Sequence, residues 1–573
     1  MNASWLLILG GVLFLLAYFI YGGYLKRVFG IDPKRPCPSH THEDGVDYTP
    51  TPPLVLFGHH FASIAGAGPI VGPIIAAMFG WGPAFLWIII GCIFVGSMHD
   101  FAALFLSVRN QGRSIAYVIE RELGYVGRQI FLFFCLASLI LVVTVFTIMT
   151  AQSFVSTPAV ATASCLFIFM APCFAMTTQQ KMLGLGEASI LFVPLLFICI
   201  WIGTVLPLDL TKLLGSEAAA QATWRLVLLY YCFVASILPV WFMLQPRDYL
   251  NSYLLVAMMI LGVVGVLAYR PQINMPAFVN PQDYFPGCKH HVFPNLLPLL
   301  FVTIACGACS GFHALVSSGT SSKQLDNERH IQPIGMGAMM VEGLLAILAV
   351  ISIAQLDFGQ YFTQINNDNV PAALLFSRGI AVFVSKLGIS TEFGATFIAL
   401  AVSAFMLTSL DTATRLARFI WQELALPASS ETEGAGDTAA AAPAQATQPA
   451  LWKRVMANRW IATGGVVVLS GVMVFTGSGL QVWPVFGASN QLLAALTLIV
   501  VFLWLLRTRR KTLFALIPAV FMMAISIWSL VILVIDRWGT NKLLAGVGVF
   551  LLAMALLIIG LTIKTVRRLR AEA

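Results

Sequence analysis

Residues 57–73 read Phe57-Gly58-His59-His60-Phe61-Ala62-Ser63-Ile64-Ala65-Gly66-Ala67-Gly68-Pro69-Ile70-Val71-Gly72-Pro73. The stretch has the apolar content of a spanning helix, but glycine weakens a helix and proline removes a backbone donor. It is therefore expected to unwind near Gly66 to Pro69. In hydrocarbon, an unwound backbone persists only where it lines a cavity or is buried in protein. Amides freed at the start of the second half-helix carry the positive end of its dipole, which suits an anionic group such as a carboxylate. Ser63, Gly66, Ala67 and Gly68 are thus candidate substrate-binding residues, and the carbonyl of Ala65 is a candidate sodium ligand. The same residues also read as a Pro-kinked helix packed through its glycines.

The rest of the chain says that lipid is the solvent. Of 573 residues 59% are hydrophobic and 10% charged, against roughly a quarter charged in a soluble domain. Apolar runs of about 20 residues, enough for a hydrocarbon core of about 30 Å, recur nearly end to end. They are centred near residues 15, 67, 95, 140, 168, 197, 234, 260, 305, 345, 405, 468, 498, 524 and 554. The expected fold is therefore an all-α polytopic membrane protein of about 15 transmembrane helices. The first run lacks a basic lead and a small-residue cleavage site, so it reads as a retained helix rather than a signal peptide. The cysteines form no CxxC pair and lie mostly in apolar runs, which argues against a disulfide framework or a zinc knuckle.

The net charge of +8 is a topology signal before it is a nucleic-acid signal, and no nucleic-acid partner is expected. Most Lys and Arg fall in alternate loops: Lys26 to Arg35, Arg109 to Arg128, Arg415 to Arg459, Arg507 to Lys511 and Lys564 to Arg570. The positive-inside rule puts these in the cytoplasm, with the N-terminus outside and the C-terminus inside. Residues 429–450, rich in Ala, Glu, Thr and Pro, read as a flexible linker. Residues 357–391 are too polar to face lipid and read as extracellular, with an amphipathic helix over Val370 to Lys386.

Two further helices carry polar interruptions. The helix of Val234-Ala235-Ser236-Ile237-Leu238-Pro239-Val240-Trp241 repeats an Ala-Ser-Ile before a proline, five spans after the first broken helix and opposite in direction. That is the layout of two inverted five-helix repeats with paired discontinuous helices, and it adds Ser236 and Trp241 to the substrate candidates. The helix from Thr303 to Ser322 is rich in small residues and hydroxyls. It supplies Ser310 as a substrate candidate and Ser317, Ser318 and Thr320 as candidate sodium ligands.

Ionisable groups at membrane depth are costly and mark function by default. The proton-coupling candidates are His59, His60, Asp100, His313, Glu342 and Asp411, with His99 beside Asp100. Ion pairs offer a simpler reading for two of them: Asp100 with Arg109 or Arg113, and Asp411 with Arg415 one turn away. Glu342 stands alone in an apolar helix. A zinc site from His59, His60, His99 and Asp100 is the rival reading, but adjacent histidines on one helix point about 100° apart and rarely hold one ion. There is no P-loop for ATP-driven transport and no attached signalling domain, and neither cofactor, resident metal nor enzymatic activity is expected.

In six stretches the chain resembles the carbon starvation protein A family of bacterial transporters: GHHFASIAGAGPIVGP from Gly58, HDF and RNQGRS between His99 and Ser114, LPVWFMLQPRDYL from Leu238, TIACGACSGFHALVSSGT from Thr303, DTATRLARF from Asp411 and WPVFGASNQLLAAL from Trp483. Position 99 is His where enteric members carry Gln, and the external region 357–391 is shorter than theirs. The resemblance implies a LeuT-like 5+5 inverted-repeat core and a secondary transporter of the amino acid, polyamine and organocation superfamily. It also implies a small organic solute, peptide or pyruvate, as substrate, with H+ or Na+ as coupling ion. The expected divisions are an extra N-terminal helix and loop (1–54), the transport core (55–420), a cytoplasmic linker (421–458) and four peripheral helices (459–573) in contact with membrane lipid or forming a homo-oligomer.

Overall fold

A computed structural model describes residues 2–44, 48–180, 182–239, 242–280, 296–425, 451–476 and 479–571. Trp241 and the linker segment 429–450 lie outside these residues. Among the described residues thirteen helices are long and apolar enough to cross a membrane. A bent pair, Pro53–Ala65 with Gly68–Phe79, makes a fourteenth, its halves inclined by 41°. The remaining expected span, near residue 305, is not one helix but three short pieces (Leu296–Thr303, Ala305–Ala308, Gly311–Gly319).

In chain order the helices are α1 (Ser4–Phe29), α2 (Pro53–Ala65), α3 (Gly68–Ala76), α4 (Trp81–Arg109), α5 (Ile115–Ser156), α6 (Pro158–Gln179), α7 (Leu185–Val205), α8 (Glu217–Ile237), α9 (Leu244–Tyr269), α10 (Leu296–Thr303), α11 (Gly311–Gly319), α12 (Glu328–Ala354), α13 (Ala372–Val384), α14 (Thr391–Ala425), α15 (Arg459–Thr476), α16 (Gly479–Arg507), α17 (Leu513–Arg537) and α18 (Lys542–Ala571). The α2–α3 break falls where glycine allows it. Gly66 sits at φ +43°, a region that side chains avoid, and Pro69 occupies the first turn of α3, where a missing amide costs nothing.

The broken segments α2–α3 and α10–α11 cross at their breaks. A Cβ on Gly68 would collide with the Cys306 side chain, one on Gly72 with the carbonyl of Thr303, and one on Gly307 would lie 3.5 Å from the Cα of Pro69. Small residues here let two backbones touch. The strand of chain entering α2 pairs with the one leaving α11, Thr49 N–H to Lys323 O at 3.2 Å and Thr51 N–H to Gln324 O at 3.0 Å. Along the crossing Gly68 meets Cys306 and Gly72 meets Thr303, so the residue numbers run in opposite senses and the two discontinuous helices are antiparallel. Around them pack the long helices α5 and α14, with α9, α12 and α13. Tyr361, in the segment before α13, donates to the carbonyl of Ile74 at 2.6 Å and so caps α3 from that end.

The expectation that all four C-terminal helices are peripheral is corrected for α16. Its membrane window is 83% buried, and a Cβ on Gly487 would strike the carbonyl of Val302. The adjacent run Gly487-Ala488-Ser489 gives α16 the small face that such contact requires. Helices α15 and α18 fit the peripheral description better, each being 33% buried over its membrane window.

Candidate functional site

Two polar clusters lie inside the bundle. The first links α4, α11 and α12. His99 Nδ1 and His313 Nδ1 each lie 2.7 Å from Asp100, on Oδ1 and Oδ2 respectively, and His313 Nε2 lies 3.2 Å from Glu342 Oε2. All four residues are fully buried. An ionised carboxylate only accepts, so with Asp100 ionised both histidines turn Nδ1–H toward it. His313 Nε2 then faces Glu342 either as a lone pair or as N–H. Two acceptors do not attract, so the contact is favourable only with a proton on one side of it. It can be imidazolium against carboxylate, or neutral imidazole against a carboxylic acid. The two atoms are within ion-pair distance but make no hydrogen bond in this arrangement, so a proton is shared between them only once the imidazole and carboxyl turn toward each other.

Glu342, solitary in its own helix, is therefore met from another by His313. Asp100 is not paired with Arg109 or Arg113 as the simpler reading had it. It lies more than two turns before Arg109, whose guanidinium instead bonds Glu328 at 2.9 Å. His60 is also fully buried; its Nδ1 lies 2.7 Å from Ser321 Oγ, and its Nε2 has no partner among the described residues.

The second cluster joins α2, α8, α9 and α14. Arg247 Nη1 bonds Asp411 and the hydroxyl of Tyr231, and Tyr231 donates to Asp411 at 2.7 Å. Arg247 Nη2 reaches Asp248 at 3.3 Å and Thr408 at 3.2 Å. His59 Nδ1 is 3.5 Å from Asp248 Oδ2. The expected Asp411–Arg415 pair is thereby replaced: Arg415 donates to the carbonyls of Ala235 and Leu238 at 2.8 and 2.7 Å. Three carbonyls at the end of α8 become acceptors for arginines of α14, because Arg418 also donates to Ser236 O at 2.7 Å.

Of the substrate candidates, Ser63, Gly66, Ala67 and Gly68 stand together at the first break. The hydroxyl of Ser63 has no partner among the described residues, and a Cβ on Gly66 would lie 2.7 Å from Ser409 Oγ and 3.3 Å from Phe146. Ser310 is at the second break, where it bonds Asn490 of α16 at 3.0 Å; Asn490 also accepts from the backbone of Phe312 at 2.9 Å. Ser236 is elsewhere, 3.5 Å from Thr463. Among the sodium candidates, Ser318 and Thr320 bond their own helix carbonyls, Ala314 O at 2.7 Å and Val316 O at 2.9 Å. Ser317 Oγ is unpartnered among the described residues, and Ala65 ends α2. No group of three or more His, Cys, Asp or Glu among the described residues is arranged to hold a metal.

Sequence reasoning missed Arg247, Tyr231 and Asn490. The first and last lie inside LPVWFMLQPRDYL and WPVFGASNQLLAAL, where a charged or amide side chain in an apolar run was the available signal. Cavities approach the breaks from both ends. His59 borders one of about 220 Å³ with Gln245, Tyr249 and Gln324 at the basic end. One of about 260 Å³ at the other end has Val71 and Ile75 of α3 in its wall.

A multi-pass helical bundle with crossed discontinuous helices, buried ionisable groups and a cavity at either end is a membrane transporter. The family profile of carbon starvation protein CstA matches residues 2–375 and 364–529. The chain belongs to that family. The peptide transporter CstA of Escherichia coli K12 is 33% identical over 584 aligned residues, covering 91% of this chain and 80% of that protein. The pyruvate/proton symporter BtsT of the same strain is 30% identical over 605 residues, covering 92% and 81%. Among solved structures, MhsT in complex with L-phenylalanine aligns with a TM-score of 0.45 at 11% identity, covering 89% of this chain and 98% of that one.

Proposed function

We propose that this protein imports a small carboxylate-bearing solute, a peptide or pyruvate, by proton-coupled alternating access, with its N-terminus periplasmic and its C-terminus cytoplasmic. The observation that carries the reading is the buried series Glu342–His313–Asp100–His99, in which His313 lies on α11 immediately beyond the second break. A proton held between His313 and Glu342 neutralises a charge that would otherwise be costly at membrane depth. Its loss changes the electrostatics beside the crossing of α2–α3 and α10–α11. Substrate carboxylate at the first break meets the uncapped N-terminus of α3, whose dipole favours an anion. Proton and solute thereby act on one pair of crossing helices, which is what coupling requires.

Sodium is the competing driver, favoured by the unpartnered hydroxyl of Ser317. Uptake by the purified protein in liposomes, tested with pyruvate and short peptides under an imposed pH or sodium gradient, decides between them. Accumulation that follows the proton gradient at fixed sodium supports the proposal. Accumulation that follows sodium at fixed pH overturns the proton assignment.

A further inference from the structure

Helix α16 grips the second break on both sides. Toward α10, Gly487 brings it against the carbonyl of Val302, and Gln491 Nε2 donates to Phe301 O. Toward α11, a Cβ on Gly311 would lie 2.5 Å from both the carbonyl oxygen of Asn490 and the amide nitrogen of Ala494, so α11 begins in backbone contact with α16. The first turn of α11 has no cap from its own segment, because Ser310 at the N-cap position makes no side-chain bond to the helix. Asn490 supplies that cap from α16. Its Oδ1 accepts from the backbone N–H of Phe312 at 2.9 Å, and its Nδ2 donates to Ser310 Oγ at 3.0 Å and to Cys306 Sγ at 3.3 Å. His313 follows Phe312 directly, and its ring reaches Asp100 of α4 at 2.7 Å and Glu342 of α12 at 3.2 Å. Both contacts depend on where the first turn of α11 sits.

We propose that Asn490 is a positioning residue for the coupling site: by capping α11 from α16 it sets His313 between Asp100 and Glu342. The proposal rests on the proton-coupled reading above. Asn490 acts through α11, since its amide is taken up by Phe312, Ser310 and Cys306. The residue is buried, and an amide N–H left there without an acceptor is costly. Without Asn490 the turn therefore settles on another acceptor and carries His313 with it. A functional constellation has to be held to about 0.5 Å by bonds of this supporting kind, so a small shift of the turn is enough to part the imidazole from one of its two carboxyl partners.

The test takes two readouts from each preparation of the full chain in liposomes: accumulation under a pH gradient, and counterflow at equal pH. The solute is pyruvate or alanyl-leucine, whichever the wild type exchanges. Asn490→Leu deletes the bonds at similar volume, Asn490→Gln keeps an amide but moves it by one carbon, and Asn490→Asp keeps an oxygen for the Phe312 amide. The ratio of accumulation to counterflow cancels the folded fraction, so Asn490→Gln carries the test if Asn490→Leu does not fold. That ratio should fall about fivefold in the Leu and Gln variants, the equilibrium factor of one lost helix cap, and stay within about twofold of the wild type in Asn490→Asp. A residue with only a structural role lowers both readouts together. An unchanged ratio in the Leu and Gln variants would overturn the positioning role, as would an Asp variant that falls as far as they do. Counterflow abolished in folded Asn490→Gln would make the residue a solute contact and overturn it as well. Wild-type accumulation that ignores the pH gradient would instead sink the proton reading on which the role depends.

Discussion

Replacing Arg247 by methionine removes the guanidinium that Asp411 and Asp248 share in the second cluster. Both carboxylates are fully buried. After the change Asp411 keeps the Tyr231 hydroxyl at 2.7 Å and Asp248 keeps His59 at 3.5 Å, so two anions remain against neutral or weakly basic partners. Breaking a buried pair by removing one member costs about 3–5 kcal/mol. Asp411→Asn does something milder. The guanidinium stays paired with Asp248 at 3.3 Å and bonded to Thr408, and what is lost is a charge-assisted hydrogen bond of about 1.5–3 kcal/mol. Arg247→Met should therefore destabilise the protein more than Asp411→Asn, by about 2 kcal/mol between the midpoints of these ranges. Reversible unfolding by SDS titration in mixed micelles measures both against the wild type. An Asp411→Asn cost equal to or larger than that of Arg247→Met would refute the charge accounting.

The same titration tests the place of α16 in the core: Gly487→Ala drives a methyl into the Val302 carbonyl and should cost about 1–3 kcal/mol. Gly560→Ala in α18, with open space around it, should be neutral to slightly stabilising. Cys37, in the loop after α1, is fully buried, and burial with Glu328 and Asp326 nearby pushes its thiol up to about 12 against the opposing Arg109. Almost no thiolate exists at pH 8, so maleimide should label Cys37 only after unfolding, as read by mass spectrometry of the labelled peptides. Reporters fused after Arg128 and at the C-terminus should both read cytoplasm, and a periplasmic signal from either would break the charge alternation.

What the sequence made legible was local. Gly66, Pro69 and Pro73 act within one turn of themselves, so the first break could be located to a residue or two. The second break has no proline and was read as a stretch of small residues. It is held open by Asn490, 180 residues away, and no local pattern encodes such a partner. The ionisable residues were visible because charge in an apolar run stands out, but their pairings were not. The nearest residue in the chain was assigned to Asp411, whereas the fold supplies Arg247 from another helix. Local i to i+4 pairing on a solvated helix gains only a few tenths of a kcal/mol, while a buried carboxylate needs a full complement of donors, and the fold selects for the second. Reading the four C-terminal helices as a group hid α16, because hydropathy alone does not distinguish lipid from protein as the apolar neighbour.

The central claim is that the His313–Glu342 contact carries the coupling proton, and one comparison tests it directly. Glu342→Gln and His313→Gln, each purified and reconstituted, are assayed for gradient-driven accumulation of pyruvate or a short peptide and for counterflow of the same solute across equal pH. Counterflow returns the carrier loaded and needs no proton release, so both variants should keep it while losing accumulation. Accumulation at the wild-type level in both variants, or loss of counterflow together with accumulation in a well-folded protein, would contradict the assignment.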